Sequence, residues 1–448
     1  MLKKSFLIYT LAGCLLTTSA FSKTDTKEEQ INTYELLNIF GEVMERTKVS
    51  YVEDISDKKL IEAALNGMLT SLDPHSSYLN EQDYKYMHEQ TSGKFGGLGI
   101  EITMENGIVK IISPIDDTPA AKAGLKAGDY ITDIDGETVI GLTLNEVVSK
   151  LRGKVGTKVK ISIRRINAKP FEVTLTRDEI KIQSVKSELK NKDILYIRIS
   201  SFSEDIDEDI SKAIKNAQKE LKNKLSGIVI DVRNNPGGLL DQAVKVSDLF
   251  LEQGEIVSTR SRNEEDTIKY SATAGDIAKG LPIVVMINEG SASAAEILSG
   301  ALQDHHRAVI LGEKSFGKGS VQTVIPLRNN AAMRITTARY YTPSGRSIQA
   351  KGIEPDVNVK QAKLEEIEST AYNLSEADLK GALKNEQAND NAKKQKSDDK
   401  KADDKKDYQL VRALDLVKAL YIYGQNDSIS ASGKTTDTTT KSKAEGQN

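Results

Sequence analysis

The 448-residue sequence predicts an α/β protein with a helical N-terminal region, a strand-rich insert and a charged tail. Three observations predict it. From about residue 178 to 362, apolar runs of strand length alternate with runs of helical period, the pattern of helices packed on a sheet. Within that stretch, Leu281-Pro-Ile-Val-Val-Met-Ile287 gives way to the turn residues Asn288-Glu-Gly-Ser291 and then to a helical run, Ala294 to Asp304. Ser226-Gly-Ile-Val-Ile-Asp-Val-Arg233 likewise runs through Asn234-Asn-Pro-Gly-Gly238 into a helical run, Leu239 to Phe250.

In chain order, Met1-Leu-Lys-Lys4 is a positive n-region and Ser5 to Thr18 an apolar h-region too short for a membrane span. Thr18-Ser-Ala20 offers a small-residue cleavage site, so residues 1–20 read as a signal peptide and the chain as exported, most simply to a bacterial periplasm. Leu11-Ala-Gly-Cys14 also resembles a lipoprotein signal, although the cysteine is early and Leu15-Leu16 follows it; an uncleaved anchor is the third alternative. Cys14 is the one cysteine, which precludes an internal disulfide.

Residues 21–92 form the helical region, with apolar residues at helical spacing over Thr33 to Val49 and Lys58 to Leu72. Residues 93–177 read as short strands with one helix, Thr143 to Leu151; Ala123 to Asp129 is turn-rich and Asp135-Gly136 is a hairpin signal. Residues 178–362 form the α/β core. Residues 363–448 change composition, and residues 385–401 have almost no apolar content and are expected to be disordered or loosely helical. Within that tail Tyr408 to Tyr423 places Leu410, Val411, Leu414, Leu416, Val417 and Leu420 on a helical face, expected to dock on the body or on a second subunit, and Ser428 to Asn448 reads as a solvated tail. A formal charge of −3 gives no basic surface suited to nucleic acid.

The chemistry lies in two stretches. Glu289-Gly-Ser-Ala-Ser-Ala-Ala-Glu296 places a serine between small residues at a strand-to-helix turn, where free backbone N–H groups favour developing negative charge. Phe316-Gly-Lys-Gly-Ser-Val-Gln322 isolates a lysine between two glycines. A serine becomes a strong nucleophile when a neighbour takes its proton, and a desolvated lysine, its pKa lowered by burial, can do so. Ser293 alone also reads as an N-cap, since Ser293-x-x-Glu296 matches a capping box. The Gly237-Gly238 turn exposes backbone N–H groups without side-chain obstruction, which suits an oxyanion hole and equally a plain strand-to-helix loop.

Rival chemistries fit less well. Gly312 to Lys318 matches G-x-x-x-x-G-K, but Gly319 stands where a P-loop needs Ser or Thr, and an extended run follows in place of a helix. The four histidines, His75, His88, His305 and His306, leave a Ser-His-Asp arrangement open in space. No H-E-x-x-H occurs, and no metal or other cofactor is expected.

Residues from about 35 to 362 resemble the carboxyl-terminal processing peptidases, also called tail-specific proteases. The matching runs, in family order, are Thr70-Ser-Leu-Asp-Pro-His-Ser-Ser-Tyr-Leu79, Gly96-Gly-Leu-Gly-Ile100, Leu151-Arg-Gly153, Asp231 to Gly238, Gly290-Ser-Ala-Ser293, Gly317-Lys-Gly319 with Val321-Gln322, and Gly352-Ile-Glu-Pro-Asp-Val357. The family's lysine follows its serine by 25 positions and its glutamine follows by four more, as Lys318 and Gln322 follow Ser293, which selects Ser293 over Ser291.

The resemblance implies Ser293 as nucleophile, Lys318 as general base and Gln322 as the group orienting the lysine. It implies an oxyanion hole from the backbone amides of Ala294 and of Gly237 and Gly238, and a structural role for His75. Residues 93–177 resemble a PDZ domain whose Gly97-Leu98-Gly99-Ile100 loop binds a free chain terminus, with the peptide adding as a strand to a sheet edge. Arg152 matches an arginine that links ligand binding to protease activation in some members.

The core is expected to resemble the crotonase and Clp-protease folds, with a β-rich companion layer supplied by Lys181 to Ser201 and Ala332 to Tyr341. The expected activity is that of an exported serine endopeptidase, acting through an acyl-enzyme on protein or peptide substrates with accessible C-termini. A homodimer and membrane association through the N-terminus are the further partners it implies. The alternatives are a non-catalytic PDZ scaffold or adaptor and, more remotely, a crotonase-like acyl-CoA enzyme.

Overall fold

The computed structural model describes residues 32–105, 107–362, 380, 383 and 407–433. The signal segment 1–20 and most of the charged run 363–406 lie outside the described residues. The chain separates into two units, residues 1–65 and 66–448. The described part of the first holds helix Thr33–Ser50, capped by the Asn32 side chain on the Tyr34 N–H, and the start of helix Asp57–Thr70. Leu36, Leu37, Phe40 and Val43 are exposed on the first of these helices.

The core of the second unit is a six-stranded sheet in the order Val185–Lys190, Ile194–Ile199, Gly227–Asp231, Ile283–Ile287, Val309–Gly312 and Val357–Asn358. The first pair is antiparallel and the rest are parallel. Gly227–Asp231 and Ile283–Ile287 are buried along their whole length because both faces are covered, which is why they read as continuous apolar runs. Ile228, Ile230, Ile283, Val285 and Ile287 face helices Ile206–Glu220, Leu240–Asp248 and Ala294–Asp304. Val229, Val284 and Met286 face the C-terminal helix Tyr408–Gly433.

That C-terminal helix docks on the body, burying Leu410, Ala413, Leu414 and Val417. Each fully buried Leu or Val side chain is worth about 1.5–3 kcal/mol. Tether length opposes this weakly, since closure entropy grows by only about 0.6 kcal/mol per doubling of the loop. The helix runs to Gly433, past the predicted end at Tyr423 and into the stretch read as a solvated tail; no proline interrupts it.

The companion sheet comprises Ser77–Leu79, Ala332–Tyr341, Glu255–Arg260, Ile268–Ser271 and Ser320–Pro326. Ala332–Tyr341 lies there as expected. Lys181 to Ser201 does not: Val185–Lys190 and Ile194–Ile199 are the first two strands of the core sheet, because Ile194–Ile199 pairs in parallel with Gly227–Asp231.

The insert is a sheet of Ile100–Glu105, Ile108–Pro114, Tyr130–Ile134, Lys158–Arg164 and Phe171–Thr176 around its own apolar core, which includes Leu98, Ile111, Ile131, Val147 and Ile161. Helix Leu144–Leu151 starts on a reciprocal capping box between Thr143 and Glu146. Lys94–Gly97 pairs with Asp178–Lys181, so the chain enters and leaves the insert through adjacent antiparallel strands.

Candidate active site

Parallel strands Gly227–Asp231, Ile283–Ile287 and Val309–Gly312 end on one edge of the sheet, and the three loops that follow them carry the Gly-Gly turn, the serine and the lysine. Ligands in open α/β sheets bind at this carboxyl edge. Ser291 is fully buried and braces its turn: its hydroxyl donates to Val232 O at 2.8 Å and accepts from the Asn288 N–H at 3.0 Å.

Ser293 stands at the start of helix Ala294–Asp304 with φ 57° and ψ −115°, a conformation that costs a non-glycine residue about 1–3 kcal/mol. Its N–H donates to Glu296 Oε2 at 2.8 Å, one half of the capping box read from the sequence. Cap and nucleophile are thus compatible roles for one residue.

Glu296 is fully buried and joins the serine to the lysine. Its Oε2 accepts from the Ser293 N–H at 2.8 Å and from the Lys318 N–H at 2.9 Å, and its Oε1 accepts from the Gly317 N–H at 2.7 Å and from the Ser315 hydroxyl. Two backbone positions 25 residues apart therefore meet at one oxygen. Burial pushes the Glu296 carboxyl above its usual range, against the pull of those hydrogen bonds. Three backbone N–H donors nevertheless require an acceptor, so the ionised form fits the site.

The Lys318 side chain makes no hydrogen bond or ion pair among the described residues. Burial, and then the Arg334 guanidinium, hold its ammonium below the ordinary lysine range, while Glu296 and Asp73 act the other way. The Asp73–Ser76 turn reaches this neighbourhood because it is clamped to strand Ala332–Tyr341. Arg334 Nε donates to His75 O at 3.0 Å and the Thr336 N–H to Ser76 Oγ at 3.1 Å, while Asp73 accepts from the N–H groups of His75 and Ser76. Burial and the nearby Lys318 lower the His75 pKa, which keeps the imidazole neutral.

The Gly-Gly turn packs directly on the serine. A Cβ on Gly237 would lie 2.6 Å from Ser293 Cβ and 3.0 Å from Ala294 N, and its φ of +101° also favours glycine. The Gly237 N–H donates to Asn235 Oδ1 at 2.8 Å and is thereby occupied. The N–H groups of Gly238 and Ala294 donate to no protein group among the described residues. Asn235 O accepts from the Ala292 N–H at 2.9 Å, which ties the glycine loop to the serine turn.

Gln322 lies on strand Ser320–Pro326 and donates through Nε2 to Ser320 Oγ at 2.9 Å and Thr336 Oγ1 at 3.2 Å, not to Lys318. His305 bonds Glu255 O at 2.7 Å, beyond the far end of the serine's helix.

In the insert, the carbonyls of Leu98 and Gly99 are used inward, by the N–H groups of Ala120 and Ile115. The N–H groups of Leu98 and Gly99 donate to no protein group among the described residues. Ile100 begins the adjoining strand. A Cβ on Gly99 (φ +73°) would strike Thr118 at 2.3 Å. Arg152 caps helix Leu144–Leu151, pairs with Glu89 at 3.0 Å and lies 4.0 Å from the Phe95 ring centre, so it ties the insert to helix Glu81–Ser92.

Sequence reasoning missed three residues here. Glu296 was legible only as a cap. Asn235 stands in the run Asn234 to Gly238 with nothing in the sequence to single it out. Tyr340, 1% exposed, buries a hydroxyl that makes no hydrogen bond among the described residues, and burial, with the Glu296 charge, raises its pKa well above the usual range, keeping it neutral.

Residues 193–359 match peptidase family S41, residues 96–177 a PDZ domain, and residues 9–83 the N-terminal domain of the activating protease CtpB. A carboxy-terminal-processing protease of Bartonella bacilliformis is 50% identical over 387 residues, 86% of this chain and 89% of that protein. The carboxy-terminal processing protease CtpA of Bacillus subtilis is 36% identical over 70% of this chain and 67% of its own. A photosystem II D1 C-terminal processing protease superposes with a TM-score of 0.43 at 30% identity, over 71% of this chain and 86% of that one. Identity this high along nearly the whole of two chains, joined to the peptidase and PDZ matches, places the protein in peptidase family S41, among the serine-type carboxy-terminal processing proteases.

Proposed function

We propose that this peptidase is an exported endopeptidase that holds C-terminal tails in its PDZ domain and cleaves peptide bonds with Ser293 and Lys318 through an acyl-enzyme. The observation that carries the reading is the shared Glu296 oxygen, which sets the Ser293 and Lys318 backbones together beside two open N–H donors. The neutral Lys318 amine takes the Ser293 proton as Oγ attacks the scissile carbonyl. The resulting oxyanion is received by the N–H groups of Gly238 and Ala294, the latter at a helix N-terminus, where one such donor is worth about 2.7–4 kcal/mol. The Lys318 ammonium then protonates the leaving amine, and the freed amine takes a proton from the water that hydrolyses the acyl-enzyme.

Gln322 lies two residues beyond Ser320, whose hydroxyl it holds, which leaves its Oε1 as the atom to orient the Lys318 amine. The open N–H groups at Leu98 and Gly99 suit a terminal carboxylate, with Ile100 starting the edge to which a peptide strand adds. The n-region and h-region of residues 1–20 support export, and among the described residues no helix is long and apolar enough to cross a membrane. The exposed apolar face of helix Thr33–Ser50 supports association with a second copy.

Covalent labelling by a fluorophosphonate tests the mechanism. Label is expected on Ser293 and lost in Ser293→Ala and Lys318→Ala; label on another serine, or full labelling without Lys318, refutes it.

A further inference from the structure

The C-terminal helix lies beyond the matched peptidase region, yet its first residues grip the strand end that leads into the oxyanion loop. Arg233, two residues past strand Gly227–Asp231, has all five guanidinium donors occupied. Nε and Nη2 hold the two oxygens of Asp231 at 3.0 and 2.8 Å. Nη1 and Nη2 hold the two oxygens of Asp407 at 3.0 and 2.7 Å, and Nη1 also reaches Gln409 Oε1 at 2.9 Å. Three of the five bonds therefore go to residues at the start of the C-terminal helix. Gln409 in turn donates to Val359 O at 2.7 Å, which fixes the helix start on the residue that follows the last core strand.

The charges close as well. Arg198 and Arg233 share Asp231, whose second oxygen also takes the Tyr196 hydroxyl, so one buried carboxylate faces two guanidinium groups. Asp407 supplies the second negative charge and makes the group neutral. Without it, Arg233 keeps a positive charge in a mostly buried place with at least two donors unmet, and its escape toward water pulls on its own backbone.

That backbone leads into the oxyanion loop. Asn234 follows at φ 51° and is laced to Asn288: its N–H donates to Asn288 Oδ1 at 2.7 Å and its Oδ1 accepts from Asn288 Nδ2 at 2.9 Å. Asn235 then orders the Gly237 N–H and accepts from the Ala292 N–H. Both open donors, at Gly238 and Ala294, thus hang from a loop pair whose outer end is held by Arg233.

We infer that the C-terminal helix is a working part of the active site, with Asp407 and Arg233 as positioning residues that set the oxyanion loop. This rests on the Ser293–Lys318 reading for the identity of the loop. The test compares full-length Asp407→Ala and Asp407→Asn with Lys418→Ala, which breaks the pairing of the same helix to Asp193 and Ser226 away from the loop.

Losing one oxyanion donor outright costs about 100–1,000-fold in kcat, so loosening both is expected to cost Asp407→Ala about 10–100-fold. KM is expected to stay within about threefold, since the loss falls on the transition state. Fluorophosphonate labelling of Ser293 is expected to slow in step, with PDZ peptide affinity unchanged. Asp407→Asn keeps the shape and covers the case in which the alanine variant does not fold; it is expected to fall in the same direction. Lys418→Ala is expected to lower the melting temperature and leave kcat alone. Wild-type kcat in a folded Asp407 variant, or an equal loss of kcat in Lys418→Ala, overturns the inference. Retained turnover in Ser293→Ala would instead overturn the underlying mechanism, whatever the Asp407 variants do.

Discussion

Replacing Glu296 by glutamine separates a cap from a catalytic bridge. The amide nitrogen cannot accept a hydrogen bond. Placed at the Oε2 position it abandons the N–H groups of both Ser293 and Lys318; placed at Oε1 it abandons the Gly317 N–H and meets the Ser315 hydroxyl, which can turn to accept from it, so the second orientation is favoured. One buried N–H left unmet costs about 1–3 kcal/mol, and two surviving bonds that change from a charged to a neutral acceptor lose about 1 kcal/mol each, a total of about 3–5 kcal/mol. For a core of this size the melting temperature should fall by roughly 10 °C or more.

The pH profile gives the sign. With Lys318 as the proposed base, activity needs its neutral amine, and the rate is expected to rise as pH passes the lysine's pKa. Burial and Arg334 already lower that pKa, and the Glu296 charge partly restores it. Without that charge the amine loses its proton more readily, and the ascending limb of kcat against pH should move to lower pH. The assay is peptide hydrolysis in buffers of constant ionic strength, below the variant's melting range. A limb that stays in place, or moves to higher pH, in a variant with wild-type kcat refutes the bridge.

Ser293→Ala should abolish proteolysis in a folded protein while Ser291→Ala, which removes the brace on Val232 O, loses stability first; turnover assays with melting curves check both. Lys318→Arg should be as inactive as Lys318→Ala, because a guanidinium does not give up its proton in this range, whereas alanine at His88, His305 or His306 should leave measurable hydrolysis. Gly237→Ala forces a Cβ to 2.6 Å from Ser293 Cβ and should lose acylation before it loses the fold, as labelling rates against circular dichroism will show. A peptide with an apolar free C-terminus should bind about 10–100-fold tighter by titration calorimetry than its amidated form, which lacks a charge-assisted hydrogen bond of about 1.5–3 kcal/mol. Arg152→Ala, which cuts the link to Glu89, should weaken peptide-stimulated cleavage more than peptide binding.

The elements legible in the sequence were those whose pattern is local. Helix Ala294–Asp304 matched its predicted span because glycine and serine mark its start and its apolar positions recur at helical spacing. The sheet membership of Val185–Ile199 was not legible, since pairing of Ile194 with Gly227 is a long-range choice that leaves no mark on either strand. Helix Ile206–Glu220 buries Ile206, Ile210, Ile214 and Ala217, a helical stripe that its many charged residues dilute in the sequence. Glu296 shows the limit most clearly. Its capping spacing was visible, but its second and third acceptor bonds reach a loop that only the folded sheet brings near.

The 25-residue spacing of serine and lysine follows from the same sheet. Ser293 leaves the carboxyl edge at the end of strand Ile283–Ile287. Helix Ala294–Asp304 then travels back across the sheet, and 11 residues at about 1.5 Å each cover roughly 16 Å. Strand Val309–Gly312 returns in parallel beside the first, rising about 3.3 Å per residue, and a short loop delivers Lys318 to the edge from which Ser293 set out. Any right-handed crossover of this length brings two residues to one edge. It does not orient them. The orientation comes from the strained turn at Ser293 and from a buried carboxylate that binds both backbones. The spacing therefore marks the architecture, and on the proposed mechanism it is Glu296, with the loop that Arg233 holds, that turns this architecture into a catalytic site.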